Sequence, residues 1–142
     1  MNNFKKILIV DDDDSIREII KNLLSQEGEF DFIESSEGID AVNKIKDNQF
    51  DLIILDIHLP NVNGFEIINS MKSQKKDFPV IMISGMATDS TRDLIKKLGN
   101  IWFFDKPIDT ENFLIAVKES LTKKARISME KKKSVLIADD HE

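Results

Sequence analysis

The segment DLIILD, residues 51–56, decides how the chain is read. Leu52 to Leu55 is an unbroken apolar run, not an alternating one, and it ends on a carboxylate, Asp56. Strands read this way when helices bury both faces of their sheet. Working outward, the same form recurs at Ile7–Val10, Val80–Ile83 and Ile101–Phe104. A fifth run, in FDFIE from Phe30 to Ile33, mixes polar with apolar residues, so it is expected nearest an edge.

Helical periodicity fills the gaps between these runs. Ile16, Ile19, Ile20, Leu23 and Leu24 fall on one helix face. Ser15 and Glu18 are expected to cap that helix reciprocally. Ala41, Val42 and Ile45 mark a second helix; Gly64, Ile67, Ile68 and Met71 a third. Thr91, Leu94, Ile95 and Leu98 mark a fourth, and Phe113, Leu114, Val117 and Leu121 a fifth. Gly28 and Gly99 are expected to end the first and fourth helices with a left-handed residue. Strict alternation of strand and helix implies right-handed crossovers and an α/β parallel sheet with helices on both faces. Ligands in such sheets bind outside the carboxyl ends of the strands.

The bulk properties agree with an ordinary domain. The chain has 142 residues, 41% apolar and 32% charged, with a net charge of −6. No stretch has the roughly 20 apolar residues needed to cross a bilayer. The opening MNNFKKILIV meets four aspartates too soon to read as a signal peptide. There is no cysteine, hence no disulfide or thiolate metal site. These features favour a cytoplasmic protein with no membrane partner, and the acidic balance argues against direct binding of nucleic acid.

The chemistry lies just past the strand ends. Asp11 to Asp14 come after the first strand, Asp56 after the third, Ser84 after the fourth, and Lys106 with Pro107 after the fifth. Carboxylates gathered at one sheet edge repel one another, which raises their pKa values or demands a cation. All-oxygen ligands suit magnesium. Phosphoryl transfer needs little beyond in-line positioning and charge neutralisation, and a carboxylate nucleophile would give an acyl phosphate. Asp13 and Asp14 read as a solvated helix start, and Trp102 as a core aromatic.

The segments ILIVDDD (7–13), DLIILDIHLPNVNG (51–64), PVIMISGMA (79–87) and FFDKP (103–107) resemble, in order and spacing, the four signature segments of CheY-like receiver domains. The resemblance covers about residues 5–125. It implies a flavodoxin-like fold with strand order 2-1-3-4-5 and a response regulator of two-component signal transduction. In that reading Asp56 is the phosphoacceptor, forming an aspartyl phosphate. Asp11 and Asp12 hold Mg2+, for which Mn2+ can substitute, together with Asp56 and the backbone carbonyl of His58. Ser84 and Lys106 stabilise the phosphoryl group, Ser84 also acts as the hydroxyl switch, and Phe103 fills the aromatic switch position. Pro60 and Gly64 shape the loop after Asp56, and Gly85 is the small residue beside the pocket. The implied partners are a histidine kinase or histidine phosphotransfer protein and a downstream domain or effector. Such a chain is no turnover enzyme beyond its own phosphorylation and dephosphorylation.

Four positions depart from common family patterns: His58, Met86, Phe103 in place of tyrosine, and Asp105 next to Lys106. His58 and Met86 are expected to modulate the lifetime of the phosphoryl group by shielding it from water. A haloacid-dehalogenase-like phosphatase is a rival reading, but it needs an acid where His58 stands. A flavodoxin-like FMN module needs a Ser/Thr/Gly-rich loop where the four aspartates stand. A docking-only receiver would have lost Asp56 or Lys106. Finally, SVLIADDHE (134–142) repeats the pattern of KILIVDDDD (6–14). The expected division is a receiver domain at 1–125, then a linker and the truncated first strand of a second receiver domain at 126–142.

Overall fold

Residues 4–99 and 101–122 are described by the computed structural model. The tail, with its repeated strand pattern, lies outside them. Each apolar run forms a strand: β1 Lys5–Val10, β2 Phe30–Ser35, β3 Leu52–Asp56, β4 Val80–Ser84 and β5 Ile101–Asp105. Each periodic segment forms a helix: α1 Asp14–Ser25, α2 Gly38–Asp47, α3 Gly64–Ser73, α4 Asp89–Leu98 and α5 Thr110–Leu121. The strands are all parallel, in the order β2-β1-β3-β4-β5. The mixed strand β2 is therefore at one edge, and β5, with half-buried Ile101 to Phe104, at the other.

The unbroken runs are explained by two cores. Leu8, Val10, Ile53, Leu55 and Met82 face one layer with Ala41, Ile45, Ile67 and Ile95. Ile7, Ile9, Leu52, Ile54 and Ile83 face the other with Ile20, Leu24, Phe113 and Val117. Successive residues of one strand thus enter different cores, and β3 and β4 are buried along their whole length. Trp102 and Phe104 pack on the α1/α5 side, while Ile101 and Phe103 pack on the other.

Two helix-end expectations need correction. Asp13, not Ser15, is the N-cap of α1: its carboxylate accepts from the Ser15 amide, so Ser15 lies inside the helix. An aspartate run immediately before a serine offers several caps, and a carboxylate, unlike a hydroxyl, also favours the positive end of the helix dipole. A reciprocal capping box occurs at α3 instead, where Asn63 and Glu66 exchange bonds at 3.0 and 2.9 Å. Gly28 does not end α1, whose C-cap is the right-handed Gln26. Gly99 does follow α4 as its C-cap, with φ at +65°.

An ion-pair cluster ties α1 to the edge strand. Glu34 on β2 accepts from Arg17 Nε and Lys21 Nζ, each at 2.9 Å. The same Arg17 donates to the main-chain oxygen of Asp11 at 2.5 Å, so the cluster also holds the end of β1. Lys21, then Arg17, stabilise the Glu34 carboxylate and hold its pKa below the usual glutamate value despite partial burial. A lowered carboxylate pKa contributes stability above the unfolded value that is lost as pH falls through the folded one. Glu34→Gln should therefore cost about 1 kcal/mol at pH 7, the size expected of a solvent-screened network. Urea titrations should show the difference from the parent shrinking below roughly pH 4, where glutamate takes up its proton.

Candidate phosphoacceptor site

The site forms because β1, β3, β4 and β5 end side by side. Asp11 follows β1 directly, Asp56 is the last residue of β3, Ser84 the last of β4, and Lys106 follows β5. Residues from opposite ends of the domain are thereby placed within bonding distance. Lys106 Nζ lies 3.1 Å from Asp11 Oδ2 and 3.3 Å from Asp56 Oδ2. Its own amide donates to the Ser84 carbonyl at 2.8 Å, which anchors the lysine to β4.

Burial gives these charges their force. Asp11, Asp56 and Ser84 are almost fully buried, whereas Asp12 is exposed. Burial, above all, pushes the Asp11 pKa up; the Asp13 amide works against it, the Asp56 charge adds to it, and Lys106 opposes it. For Lys106, burial works against the charge, but Asp11 and Asp56 together outweigh it and raise its pKa. Asp56 Oδ1 accepts the His58 amide at 3.1 Å, and Asp11 Oδ1 accepts the Asp13 amide at 2.9 Å. Asp11 Oδ2 is buried without a hydrogen bond; its contact with Lys106 is ionic, not directed.

Asp11 Oδ2, ion-paired with Lys106 but without a hydrogen bond, has capacity left for a cation. Asp11, Asp12 and Asp56 offer carboxylate oxygens that all lie within 4.8 Å of one another. Three hard oxygen donors, two of them buried, with a single ammonium nearby, fit a divalent cation of the magnesium type.

The loop after Asp56 is held close to the sheet. The Gly64 amide donates to the Ile57 carbonyl at 2.9 Å. A Cβ on Gly64 would come within 3.1 Å of the Asp56 carbonyl oxygen, so this glycine serves a close approach. Gly85 differs: a Cβ there would meet the Lys106 stem at an ordinary 3.6 Å. Phe103 is half-buried, with the Arg92 guanidinium 5.4 Å from its ring centroid. Arg92 also grips both oxygens of Asp105, at 3.0 and 3.1 Å, which keeps the carboxylate next to Lys106 occupied.

The side chains of Asp11, Asp12, Asp56 and Lys106 converge, Ser84 Oγ meets His58 and the Met86 amide, and Phe103 lies on β5. Met86 is exposed, and its amide donates to Ser84 Oγ at 3.0 Å. One contact was missed from sequence. His58 is exposed, as a surface residue should be, but its ring also makes a contact with no sequence signal: Nε2 lies 3.1 Å from Ser84 Oγ.

Comparison with known proteins agrees with this geometry. Residues 7–118 match the response regulator receiver domain family. The alkaline phosphatase synthesis transcriptional regulatory protein PhoP of Bacillus subtilis is 33% identical over 82% of this chain, which spans 48% of that protein. Sporulation initiation phosphotransferase F of the same species is 31% identical over 85% of the chain, which spans 97% of it. Among solved structures, Vibrio cholerae chemotaxis protein CheY4 superposes with a TM-score of 0.71 at 29% identity, covering 83% of this chain and 99% of that one. A CheY-like receiver domain protein from Methanospirillum hungatei gives 0.77 at 28% identity, covering 87% and 98%. No helix among the described residues is long and apolar enough to cross a membrane. A parallel sheet in 2-1-3-4-5 order, acids and a lysine meeting at its carboxyl edge, and these relatives lead to one conclusion: the chain belongs to the response regulator receiver domain family, the phosphoryl-accepting modules of two-component signalling.

Proposed function

We propose that Asp56 is the phosphoacceptor, that Asp11, Asp12, Asp56 and the His58 carbonyl hold Mg2+ or Mn2+, and that a histidine kinase or histidine phosphotransfer protein is the donor. The observation that carries this reading is Lys106 bridging Asp11 and Asp56 in a buried pocket, with Asp11 Oδ2 left without a hydrogen bond. The cation would neutralise the carboxylates and the oxygens of the incoming group. An Asp56 carboxylate oxygen attacks phosphorus in line. The new O–P bond forms as the P–N bond of a phosphohistidine breaks, and that electron pair stays on the donor imidazole. Lys106 turns from its two carboxylates toward the new dianion. The Ser84 hydroxyl turns to a phosphoryl oxygen, and Phe103 moves into the space behind it. The phosphoryl group shifts the population only by its preference for this second arrangement. The surface of α4, β5 and α5 then changes for a downstream domain or effector to read.

Acetyl phosphate with Mg2+ should add one phosphoryl group per chain. Chelation should abolish the gain and Mn2+ restore it, as intact mass spectrometry would report. Sustained turnover of p-nitrophenyl phosphate would favour a phosphatase instead. The repeat of KILIVDD in SVLIADD supports the further proposal of a receiver at 1–125, and of a linker plus the first strand of a second receiver at 126–142. A kinase donor also favours a cytoplasmic location.

A further inference from the structure

The Ser84 hydroxyl is held by partners other than the pocket it is proposed to serve. Ser84 is fully buried, so its one hydroxyl proton needs an acceptor inside the protein. The Met86 amide, at 3.0 Å, is a donor and takes up one lone pair of Oγ. The remaining side-chain contact is His58 Nε2 at 3.1 Å. If Nε2 carried a proton, the buried oxygen would face two donors and its own proton would have no acceptor, a costly arrangement. Both groups are satisfied when Ser84 donates its hydroxyl proton and His58 Nε2 accepts it. The same residue is fixed from the other side, because its amide donates to Asp56 Oδ1 at 3.1 Å. His58 thus touches the acceptor through its main chain and the switch hydroxyl through its ring.

We propose that the His58 imidazole is a latch on Ser84: it accepts the hydroxyl proton in the resting protein and must release it before Ser84 can donate to a phosphoryl oxygen. This rests on the reading of Asp56 as phosphoacceptor and adds a resting-state competitor to it. No covalent step is involved. One O–H···N bond is exchanged for one O–H···O bond, and the opposing bond raises the free energy of switching. His58 is a positioning residue here, acting through Ser84 and not on phosphorus. The consequence is a receiver that is harder to switch than one with a short side chain two residues after the acceptor.

Beryllium fluoride with Mg2+, a stand-in for the phosphoryl group, gives the test. His58→Ala should bind it about five to ten times more tightly than the parent, the factor a net hydrogen bond contributes. In a Ser84→Ala background the same change should have no effect, since there is no hydroxyl to hold. His58→Gln, whose amide oxygen reaches as far as Nε2, should give back most of the difference. Nitrogen NMR of the parent should show Nε2 of His58 as an unprotonated acceptor that loses this signature when beryllium fluoride binds. An equal gain in both backgrounds would mean that His58 acts by blocking access, and would overturn the latch. So would an unchanged affinity in His58→Ala, or an Nε2 that carries the proton at rest. Failure of the parent to bind beryllium fluoride at all would overturn the phosphoacceptor reading and the latch with it.

Discussion

Lys106→Met should destabilise the metal-free protein by about 3 kcal/mol at pH 7, the cost expected when one partner of a buried ion cluster is removed. The ammonium sits between Asp11 Oδ2 at 3.1 Å and Asp56 Oδ2 at 3.3 Å, and both carboxylates are almost fully buried. Methionine fills a similar volume, so the loss would be electrostatic and not a cavity. The pH dependence identifies the cause. Burial already raises the Asp11 pKa with Lys106 present; without it the native state should hold a proton that the unfolded chain has released. Stability then falls as pH rises through the window above the ordinary aspartate value. The cost should accordingly be largest at neutral pH and small near pH 4. Urea titrations at both values check this, and Mg2+ should restore part of the loss at neutral pH by supplying the missing positive charge. A deficit independent of pH and of Mg2+ would mean that the lysine stem, not its charge, matters.

A second large effect is expected from packing alone. A Cβ added at Gly38, the first residue of α2, would lie 2.0 Å from the Val62 carbonyl oxygen and 2.7 Å from its carbonyl carbon. These are backbone atoms of the loop after Asp56, and they cannot swing aside as a side chain tip could. Gly38→Ala should therefore cost about 3 kcal/mol, at the upper end for overpacking. It should also slow phosphorylation, because the displaced loop carries His58. Gly85→Ala is the contrast: its methyl would meet Lys106 Cδ at 3.6 Å, and melting should show a change within about 0.5 kcal/mol.

The sequence was most legible where one physical requirement acts alone. Burial on both sheet faces made β1, β3 and β4 readable as continuous apolar runs, and the mixed FDFIE run pointed to an edge, where β2 lies; the equally continuous run of β5 gave no sign that it forms the other edge. The strand-end chemistry was legible for the same reason, since a parallel sheet brings every carboxyl end to one side. Where several residues compete for one role, pattern failed. Five polar residues in a row could cap α1, and only geometry singled out Asp13. The Asn63–Glu66 box did carry its spacing signal, hidden in a segment already read as the loop after Asp56. Contacts set by a rotamer or a close main-chain approach between separate elements had no sequence signal: His58 with Ser84, Arg92 over Phe103, and Gly38 against Val62.

Asp56, and no other carboxylate in the acidic pocket, should receive the phosphoryl group. An acyl phosphate is reduced by borohydride to an alcohol, so treating the acetyl phosphate product with borohydride converts the modified aspartate to homoserine. Peptide sequencing by mass spectrometry then reads its position. Homoserine is expected at residue 56 alone, and none in Asp56→Asn treated in the same way. Homoserine at residue 11 or 12 in the parent, or an equal phosphoryl gain in Asp56→Asn, would contradict it.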